Sequence, residues 1–437
     1  MNKKLIRVKE ADSSDGKRLL SALSRRTFKI PEDIEQKVKE IVEAVQERGD
    51  DALCDYTSRF DCPGFTPDML RVGQEEIERA FKQVDQHLLS ALEKAKENIS
   101  GFHARQLPDS WFQTRQDGVI LGQMVKPVEA AGLYVPGGQG GKTPLVSSVL
   151  MNAIPAKIAG VERIILCTPP GPDGKISPAL LAAARLCGVS HIYRVGSAWA
   201  IAAMAYGTKT IGAVDVIAGP GNIFVTAAKK LVSGAVAIDM IAGPSEILII
   251  ADDSAKAAYV AADMLSQAEH DPMATSILVT TSSRLAKETS KELEKQLEKL
   301  ERAKTARSSI ESNGLILVTK ALEEACQIAN TIGPEHLELM VQEPWALVPK
   351  IRHAGAIFLG PYSPEPVGDY IAGPNHVLPT MGTARFSSAL GVETFLKRSS
   401  LICYTKEAFM EDAEEVMRLA ETEGLTAHKQ SVKVRVE

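Results

Sequence analysis

The feature that most constrains the fold is a regular alternation of short apolar runs and alanine-rich runs, which begins near Val119. The apolar runs are LYV, RIILC, HIYRV, DVIAG, EILIIAD, SILVTT, LILVT and AIFLG, starting at residues 133, 163, 191, 215, 246, 276, 315 and 356. Each apolar run has the length of a buried strand, and each alanine-rich run that of a helix packed across a sheet. The pattern therefore predicts parallel sheets covered by helices.

The order of these runs predicts an α/β fold made of two tandem, incomplete Rossmann-like parallel-sheet modules, with an N-terminal helical region and a small C-terminal helical tail. The predicted helices outside the modules run from Pro31 to Gly49, from about Gln74 to Lys96 and from Lys406 to Glu421, with a short polar segment after the last. The expected division is residues 1–110 for the helical region, 111–240 and 241–374 for the two modules, and 375–437 for the tail.

Composition excludes several classes of partner. The chain has 437 residues and a net charge of −5, which gives no reason to expect nucleic acid or an anionic membrane. No apolar run has the length of a membrane span, and the N-terminus lacks the apolar core of a signal peptide. The six cysteines show no CxxC spacing, so we expect reduced thiols in a cytoplasmic protein.

The stretch LSQAEHDP, residues 265–272, closes a predicted helix that begins at Ala257. Gln267 and His270 are three residues apart, so on a helix they share one face and can reach one ion. An amide oxygen and an imidazole nitrogen suit zinc, with manganese or cobalt as possible substitutes. A hydrogen-bonded helix end without a metal is the alternative interpretation.

Two glycine-rich loops follow predicted strands. YVPGGQGGKTP, residues 134–144, resembles a phosphate-binding P-loop except that Pro136 takes the place of the first glycine. AGPGN, residues 218–222, precedes a helix predicted from Ile223, a geometry that favours anions. An ATPase loop, a loop that approaches another ligand and a plain turn all remain open.

Residues suited to acid–base chemistry cluster further along the chain. In GPEH, Glu335 and His336 stand side by side, and a histidine can accept an alcohol proton while a carboxylate activates water. The loop-rich stretch 361–380 adds Glu365, Asp369 and His376, and such polar density in a stiff loop favours a site.

These stretches together resemble the histidinol dehydrogenase family. The similarity runs through LYVPGG, SSVLMNAIPAKIAGV, GPGNIFVT, AGPSEILIIAD, LSQAEHDP, GPEHLEL, SPEPVGDYIAGPNHVLPT and EGLTAHK, and covers residues 30 to 430 almost completely. The resemblance implies an NAD-dependent homodimer with one Zn²⁺ per subunit. It implies oxidation of L-histidinol through L-histidinal to L-histidine, the last steps of histidine biosynthesis, with two NAD.

By position in those motifs, the resemblance also implies a role for each site residue. The zinc ligands would be Gln267, His270, Asp369 and His428, and the acid–base residues would be Glu335 and His336. The substrate contacts would be Ser245, Gln267, His270, His336, Glu365, Asp369, His376, Glu423 and His428. NAD would contact Tyr134 and Asn222. The tail would cross to the partner subunit, so that each site draws on two chains.

The chain departs from the family pattern on the cofactor side. Where the family commonly reads Gly-Ala-Gln, it has Ser197-Ala198-Trp199, and the loop at residues 139–143 is longer than usual. An indole lacks the acceptor of an amide but can stack on a ring, so we expect Trp199 to border the NAD pocket, with core packing as the alternative.

Other functions fit part of the same residues. A relative on this scaffold could oxidise another small polar alcohol with NAD, a metal hydrolase could use the same ligands with Glu335, and a P-loop ATPase could use residues 134–144. Intact Glu365, His376 and Glu423 favour histidinol, and Pro136 disfavours the ATPase.

Overall fold

The chain folds into two parallel sheets, each covered by helices, and a third, antiparallel sheet. A computed structural model describes residues 5–26, 29–137 and 144–437. The strands are β1 (Arg7–Glu10), β2 (Trp111–Thr114), β3 (Ile120–Pro127), β4 (Ala130–Tyr134), β5 (Arg163–Thr168), β6 (His191–Arg194), β7 (Val216–Ala218), β8 (Ala237–Ile238), β9 (Glu246–Ala251), β10 (Thr275–Thr280), β11 (Leu315–Val318), β12 (His336–Met340), β13 (Ala356–Leu359) and β14 (Leu396–Cys403).

Helices account for much of the remaining chain. The α-helices are α1 (Ser14–Ser24), α2 (Glu32–Arg48), α3 (Asp50–Phe60), α4 (Gln74–Gln83), α5 (Gln86–His103), α6 (Val146–Ala159), α7 (Pro178–Leu186), α8 (Ser197–Tyr206), α9 (Ile223–Val232), α10 (Ala257–Ala268), α11 (Ser283–Leu297), α12 (Ala303–Asn313), α13 (Leu322–Ile332), α14 (Glu365–Tyr370), α15 (Lys406–Thr422) and α16 (Thr426–Val436). Short 3₁₀ turns cover Pro67–Met69, Ala104–Gln106, Pro344–Ala346, Val348–Lys350, Thr383–Arg385 and Val392–Phe395. In the described ranges, no helix is both long and apolar enough to cross a membrane.

The first parallel sheet has the strand order β6-β5-β4-β7-β8. Its central strand β4 is completely buried, because α6 and α7 pack on one face while α8 and α9 pack on the other. The N-terminal helices form an outer layer, with α2 against α8 and α9, and α4 against α7. This packing fixes the loops that follow β4 and β7.

The second parallel sheet has the order β1-β11-β10-β9-β12-β13. Helices α10, α11 and α12 cover one face, and α1 and α13 cover the other. The strand β1, from the N-terminal region, pairs in parallel with β11, a partnership that the sequence pattern did not indicate. The first residues of the chain therefore belong to the second sheet.

The two sheets share one winding. Leaving aside β1 at the edge of the second sheet, the winding starts from β4 in one sheet and from β9 in the other. The next two strands lie on one side of it, and the chain then crosses to the other side. The reversals fall between β4 and β7 and between β9 and β12, the switch points of a doubly wound sheet. The prediction of two Rossmann-like modules is confirmed, while the proposed domain limits at 110, 240 and 374 stay predictions.

The third sheet and the C-terminal helices lie outside the two modules. Strands β14, β3 and β2 pair antiparallel, so that residues 120–127 join residues 396–403 across the length of the chain. Helix α15 then packs against α16. The short polar segment predicted after Glu421 forms the helix α16, as part of the C-terminal helical tail.

Two predicted helices end differently. The helix expected from Gln74 to Lys96 is broken at Val84, because the Asp85 side chain accepts the His87 N–H and caps a new helix. Helix α10 ends at Ala268, two residues before His270, although the His270 N–H still donates to the Gln267 carbonyl at 3.3 Å. Gln267 thus lies in the last turn and His270 just beyond it.

The side chain of Trp199 lies in the core beneath α3. It is 4% exposed, its Nε1–H donates to the Thr57 hydroxyl at 3.1 Å, and its ring stacks with those of Tyr56 and Phe60 at centroid distances of 5.6 and 5.8 Å. The indole is thus contacted on several sides by the chain itself, as the packing alternative expects, while contact with NAD stays a prediction.

Replacing Trp199 with alanine is expected to lower the free energy of unfolding by about 3–5 kcal/mol, because a large buried ring and its contacts are lost. Denaturant unfolding followed by circular dichroism measures this change. The exposed Trp345 provides the control, and Trp345→Ala should shift the same free energy by no more than about 0.5 kcal/mol. Equal effects from the two substitutions would contradict the assigned packing.

Candidate active site

A cavity of about 310 Å³ lies where the two parallel sheets face each other. The first sheet presents its carboxyl edge through the loops after β4 and β7, and the second presents its amino edge, just before β9 and β12. Among the predicted site residues, those that line this cavity are Asn222, Ser245, Gln267, His270, Glu335, His336, Glu365, Asp369 and His376. One cavity therefore collects residues separated by more than 150 positions.

The loop after β7 approaches the end of β4 very closely. Gly219 has a φ of 121°, and a Cβ at this position would lie 2.1 Å from the Tyr134 carbonyl oxygen, so only glycine fits. Asn222 follows, and its Oδ1 accepts the Phe224 and Val225 N–H groups as the N-cap of α9. The amide of Asn222 is thereby held beside the cavity.

His336 is oriented by the main chain of β9. Its Nδ1 lies 2.9 Å from the Glu246 carbonyl oxygen, which can only accept, so Nδ1 carries the proton and Nε2 presents a lone pair. That Nε2 lies 3.0 Å from Nε2 of His376. Burial, and then the neighbouring His376, lower the pKa of His336 to about 3, so the ring is neutral at physiological pH.

Glu335 is held by the same residue of β9. Its Oε2 accepts the Glu246 N–H at 2.9 Å, and the carboxyl is buried. Burial raises the pKa of Glu335 well above its usual range, and the nearby carboxyls of Glu246, Glu365 and Asp369 raise it further. A raised pKa makes the ionised form of Glu335 a stronger base.

Glu365 connects the cavity to a pair of buried acids. Its Oε1 lies 2.9 Å from Nε2 of His376, and its backbone N–H donates to Oε1 of Glu338 at 2.9 Å. Glu338 is in turn hydrogen-bonded to Asp263. Burial raises the pKa of Asp263 to about 6 and that of Glu338 well above its usual range, so the two acids share a proton.

Gln267 has the character of a metal ligand. The residue is 1% exposed and lines the cavity, yet its Oε1 has no hydrogen-bond partner within the described chain, which is costly for a buried acceptor. His270 and Asp369 line the same cavity, so its wall offers one amide oxygen, one imidazole and one carboxylate. This donor set fits zinc.

The electrostatics of the cavity also favour a cation. Glu335, Glu365 and Asp369 all line it, whereas its described wall contains no lysine or arginine. Burial raises the pKa of Asp369, because the ionised carboxylate is poorly solvated there. A second group able to hold an ion, whose ligand atoms lie within 4.8 Å of one another, is formed by His336, Glu365 and His376.

Four predicted site residues do not line the cavity of their own chain. Tyr134 is buried at the end of β4 and its hydroxyl accepts the Ser197 N–H at 3.0 Å, while Trp199 is in the core. Glu423 and His428 are exposed, at the end of α15 and in α16. The loop at residues 139–143, which was predicted to be longer than usual, lies outside the described residues.

Sequence reasoning missed the residues that support the site from behind. Glu246, Glu338 and Asp263 are buried acids, and Ser147 donates to Oδ1 of Asp369 at 3.2 Å. A signal for two of them was present, because Glu246 begins one completely buried strand and Glu338 interrupts another. A charged residue in such a strand normally has a specific partner.

Two Rossmann-like sheets with a buried histidine and carboxylic acids between them define an α/β enzyme equipped for acid–base chemistry. Comparison with known proteins gives a more specific answer. The sequence profile of the family described as histidinol dehydrogenase matches residues 24–436.

Individual relatives agree over the whole length. The histidinol dehydrogenase of Desulfotalea psychrophila is 58% identical over 433 residues, covering 99% of this chain and 100% of that protein. That of Oleidesulfovibrio alaskensis is 58% identical over 403 residues, covering 92% and 93%. The crystal structure of histidinol dehydrogenase from Elizabethkingia anophelis is 38% identical, with a TM-score of 0.92 over 100% of this chain and 99% of that one.

The chain belongs to the histidinol dehydrogenase family, and is thus an NAD-dependent oxidoreductase. The family predicted from the motifs is confirmed.

The buried acid pair predicts a pH effect on stability. Because the folded-state pKa values of Asp263 and Glu338 are raised, the folded chain binds more protons than the unfolded chain, and stability falls as pH rises through about 6. Glu338→Gln removes one titrating acid while its amide can still bond Asp263 and Glu365. The fall in thermal midpoint between about pH 5 and about pH 8 should be smaller in this variant than in wild type.

The exposed Glu294 on α11 provides the matched control, and Glu294→Gln should retain the wild-type pH dependence. A Glu338→Gln variant with an unchanged pH dependence would show that the pair does not hold an extra proton.

Proposed function

We propose that the chain oxidises L-histidinol through L-histidinal to L-histidine with two NAD and one Zn²⁺ per subunit. The observation that carries the proposal is the pairing of Glu335 and His336 on one residue of β9, beside the unpartnered amide oxygen of Gln267. A four-electron oxidation needs a base for an alcohol proton and a base for water, and these two side chains offer both.

Zinc would be held by Gln267, His270 and Asp369, with His428 as the fourth ligand. A bound divalent cation supplies positive charge that orients an amino alcohol and balances the acidic wall. The chemistry that bound NAD supplies is acceptance of a hydride, once in each oxidation step. Asn222, exposed at the cavity beside the N-terminus of α9, is the residue best situated to contact NAD. The buried hydroxyl of Tyr134 and the indole of Trp199 do not line the cavity, and we propose that they support the NAD site only indirectly.

In the first step, His336 takes the hydroxyl proton. Its Nε2 is the unprotonated nitrogen because Nδ1–H is bonded to the Glu246 carbonyl, and burial keeps the ring neutral. Ser245, Glu365 and His376 surround the remaining space and can hydrogen-bond the substrate's polar groups. The carboxylate of Glu365 also supports His376, which keeps that imidazole in position for the substrate ring.

In the second step, Glu335 takes a proton from the water that adds to the aldehyde. The carboxyl is buried, so its ionised form is poorly solvated and gains from accepting a proton. The cavity is small enough to keep the aldehyde next to both bases between the two steps. Retention of a reactive aldehyde is a physical reason for one site to carry out both oxidations.

We further propose a cytoplasmic homodimer in which the C-terminal helices complete the partner's site. Within the part of the chain that the structure describes, α16 has no buried residue. The two helices α15 and α16 and the turn between them expose Met410, Val416, Leu419, Leu425 and Val434. An apolar surface of this kind is typical of an interface. Glu423 and His428 lie on this hairpin, and from a partner they could supply an ammonium contact and the fourth ligand. All six cysteines are free thiols, in keeping with a reducing compartment.

The proposed reaction is tested by its stoichiometry. Limiting L-histidinol with excess NAD should yield two NADH per molecule, measured by absorbance, with little free aldehyde. One NADH with accumulating aldehyde would contradict the coupled mechanism, and an absence of NADH would contradict the reaction itself.

Glu335→Gln provides the matched variant for that experiment. Because only the second step needs activated water, oxidation of added L-histidinal should slow by on the order of 10²–10⁴ while the alcohol step changes less. Unaffected aldehyde oxidation would remove Glu335 from its proposed role.

The shared site is tested by mixing two inactive variants, His270→Asn and His428→Asn, under conditions that exchange subunits. In each mixed dimer, one site carries both lesions and the other is intact. Random pairing makes half of the dimers mixed, so activity should return to about a quarter of wild type. No recovery, with exchange verified by mass-tagged subunits, would mean that His428 acts within its own chain.

A further inference from the structure

Glu246 is the residue that holds both proposed bases, although it does not line the cavity. Its backbone N–H donates to Glu335 at 2.9 Å and its carbonyl accepts from His336 at 2.9 Å. The positions of both bases therefore depend on the two peptide units that flank the Glu246 Cα.

The side chain of Glu246 is itself fixed at both oxygens. Oε1 accepts the Met381 N–H at 2.7 Å, and Oε2 forms an ion pair with the Arg26 guanidinium. Met381 has a backbone φ of 54°, which is uncommon for a residue other than glycine. The hydrogen bond from its N–H to the Glu246 carboxylate therefore supports the turn after Thr380. Thr380 belongs to the same segment as His376 and also lines the cavity.

Arg26 comes from a distant part of the chain. It follows α1, whose helix packs on α13 on the far side of the second sheet. The two charged side chains are 12% and 2% exposed, so the pair is nearly buried. Removing one member of a buried pair leaves an uncompensated charge, which forces the remaining side chain to move or to change protonation.

We infer that the Arg26–Glu246 ion pair is a positioning device for the reaction: it fixes the Glu246 main chain so that Glu335 and His336 stay in register with the substrate. Neither Arg26 nor Glu246 lines the cavity, so neither is a catalytic residue. The inference rests on the proposed function and adds two residues to it. It also gives the N-terminal segment a role in both oxidation steps.

Because both bases depend on the same residue, loss of the pair should slow both steps together. Arg26→Met is expected to lower kcat for L-histidinol and for L-histidinal by about 10- to 100-fold, the size of effect produced by displacing a reacting group by about 1 Å. The Michaelis constants for NAD and substrate and the zinc content should stay near wild type, because Arg26 touches none of these ligands. Arg26→Lys keeps the charge and should recover most of kcat.

Arg194→Met provides the matched control. The Arg194 side chain is 9% exposed, about as buried as that of Arg26, and it pairs with the 30% exposed Glu76. Neither residue lines the cavity. Both methionine variants should lose thermal stability, but at a temperature where both are folded only Arg26→Met should lose kcat. Equal losses of kcat would mean that the effect is general destabilisation and would overturn the inference.

A double variant guards against a single variant that does not fold. Glu246→Gln leaves the Arg26 charge without a partner, whereas Glu246→Gln combined with Arg26→Met removes both charges and keeps an amide oxygen for the Met381 N–H. A kcat higher in the double variant than in Glu246→Gln supports the pairing, and an equal or lower kcat overturns it.

Two further outcomes can be told apart from those above. Arg26 also lines a second cavity with Leu23, Pro244 and Met381, so a rise in the NAD Michaelis constant with unchanged kcat would mean that it binds an anionic ligand there, which overturns the inference. No NADH from wild type would overturn the proposed function and this inference with it, whereas an active wild type with unaffected variants would overturn the inference alone.

Discussion

The parallel pairing of β9 with β12 is the interaction on which the site depends. It sets Ile247 opposite His336, so that the backbone of Glu246 reaches the side chains of Glu335 and His336 at the start of the neighbouring strand. Both strands are buried on both faces, which leaves little freedom for their ends to shift. Two bases are thus placed by main-chain hydrogen bonds, without a mobile loop.

The opposition of two sheets explains why the site is acidic as well as rigid. Doubly wound sheets usually bind ligands at the carboxyl ends of their strands, as the first module does with the turn at Gly219 and the N-terminus of α9. The second module turns its amino edge to the same space, and this edge also receives the C-terminal end of α10, where the helix dipole is negative. One wall therefore favours an anionic cofactor and the other a cation and an ammonium group.

Burial changes the pKa values of the titratable side chains in and behind the cavity. The pKa of Glu335 is raised by burial, the ring of His336 is kept neutral by it, and the pair of Asp263 and Glu338 shares a proton behind Glu365. Each effect needs exclusion of water by the surrounding apolar clusters, so the chemistry depends on the completeness of the packing. The hairpin of α15 and α16 is the exception, because most of its surface is exposed.

The sequence by itself determined the class of fold, the family and most of the cavity wall. Apolar runs of strand length that alternate with alanine-rich helical runs are typical of a helix-covered parallel sheet. Polar residues such as Gln267, His336 and Asp369 stand out against them at the ends of elements. Tertiary structure decided what periodicity cannot encode. It paired β1 with β11, split the helix at Asp85, put Trp199 under α3, and brought Arg26 to Glu246 across 220 positions. Such contacts depend on which elements meet in space. The partner in a hydrogen bond or an ion pair can lie anywhere along the chain, and the local sequence pattern does not say where.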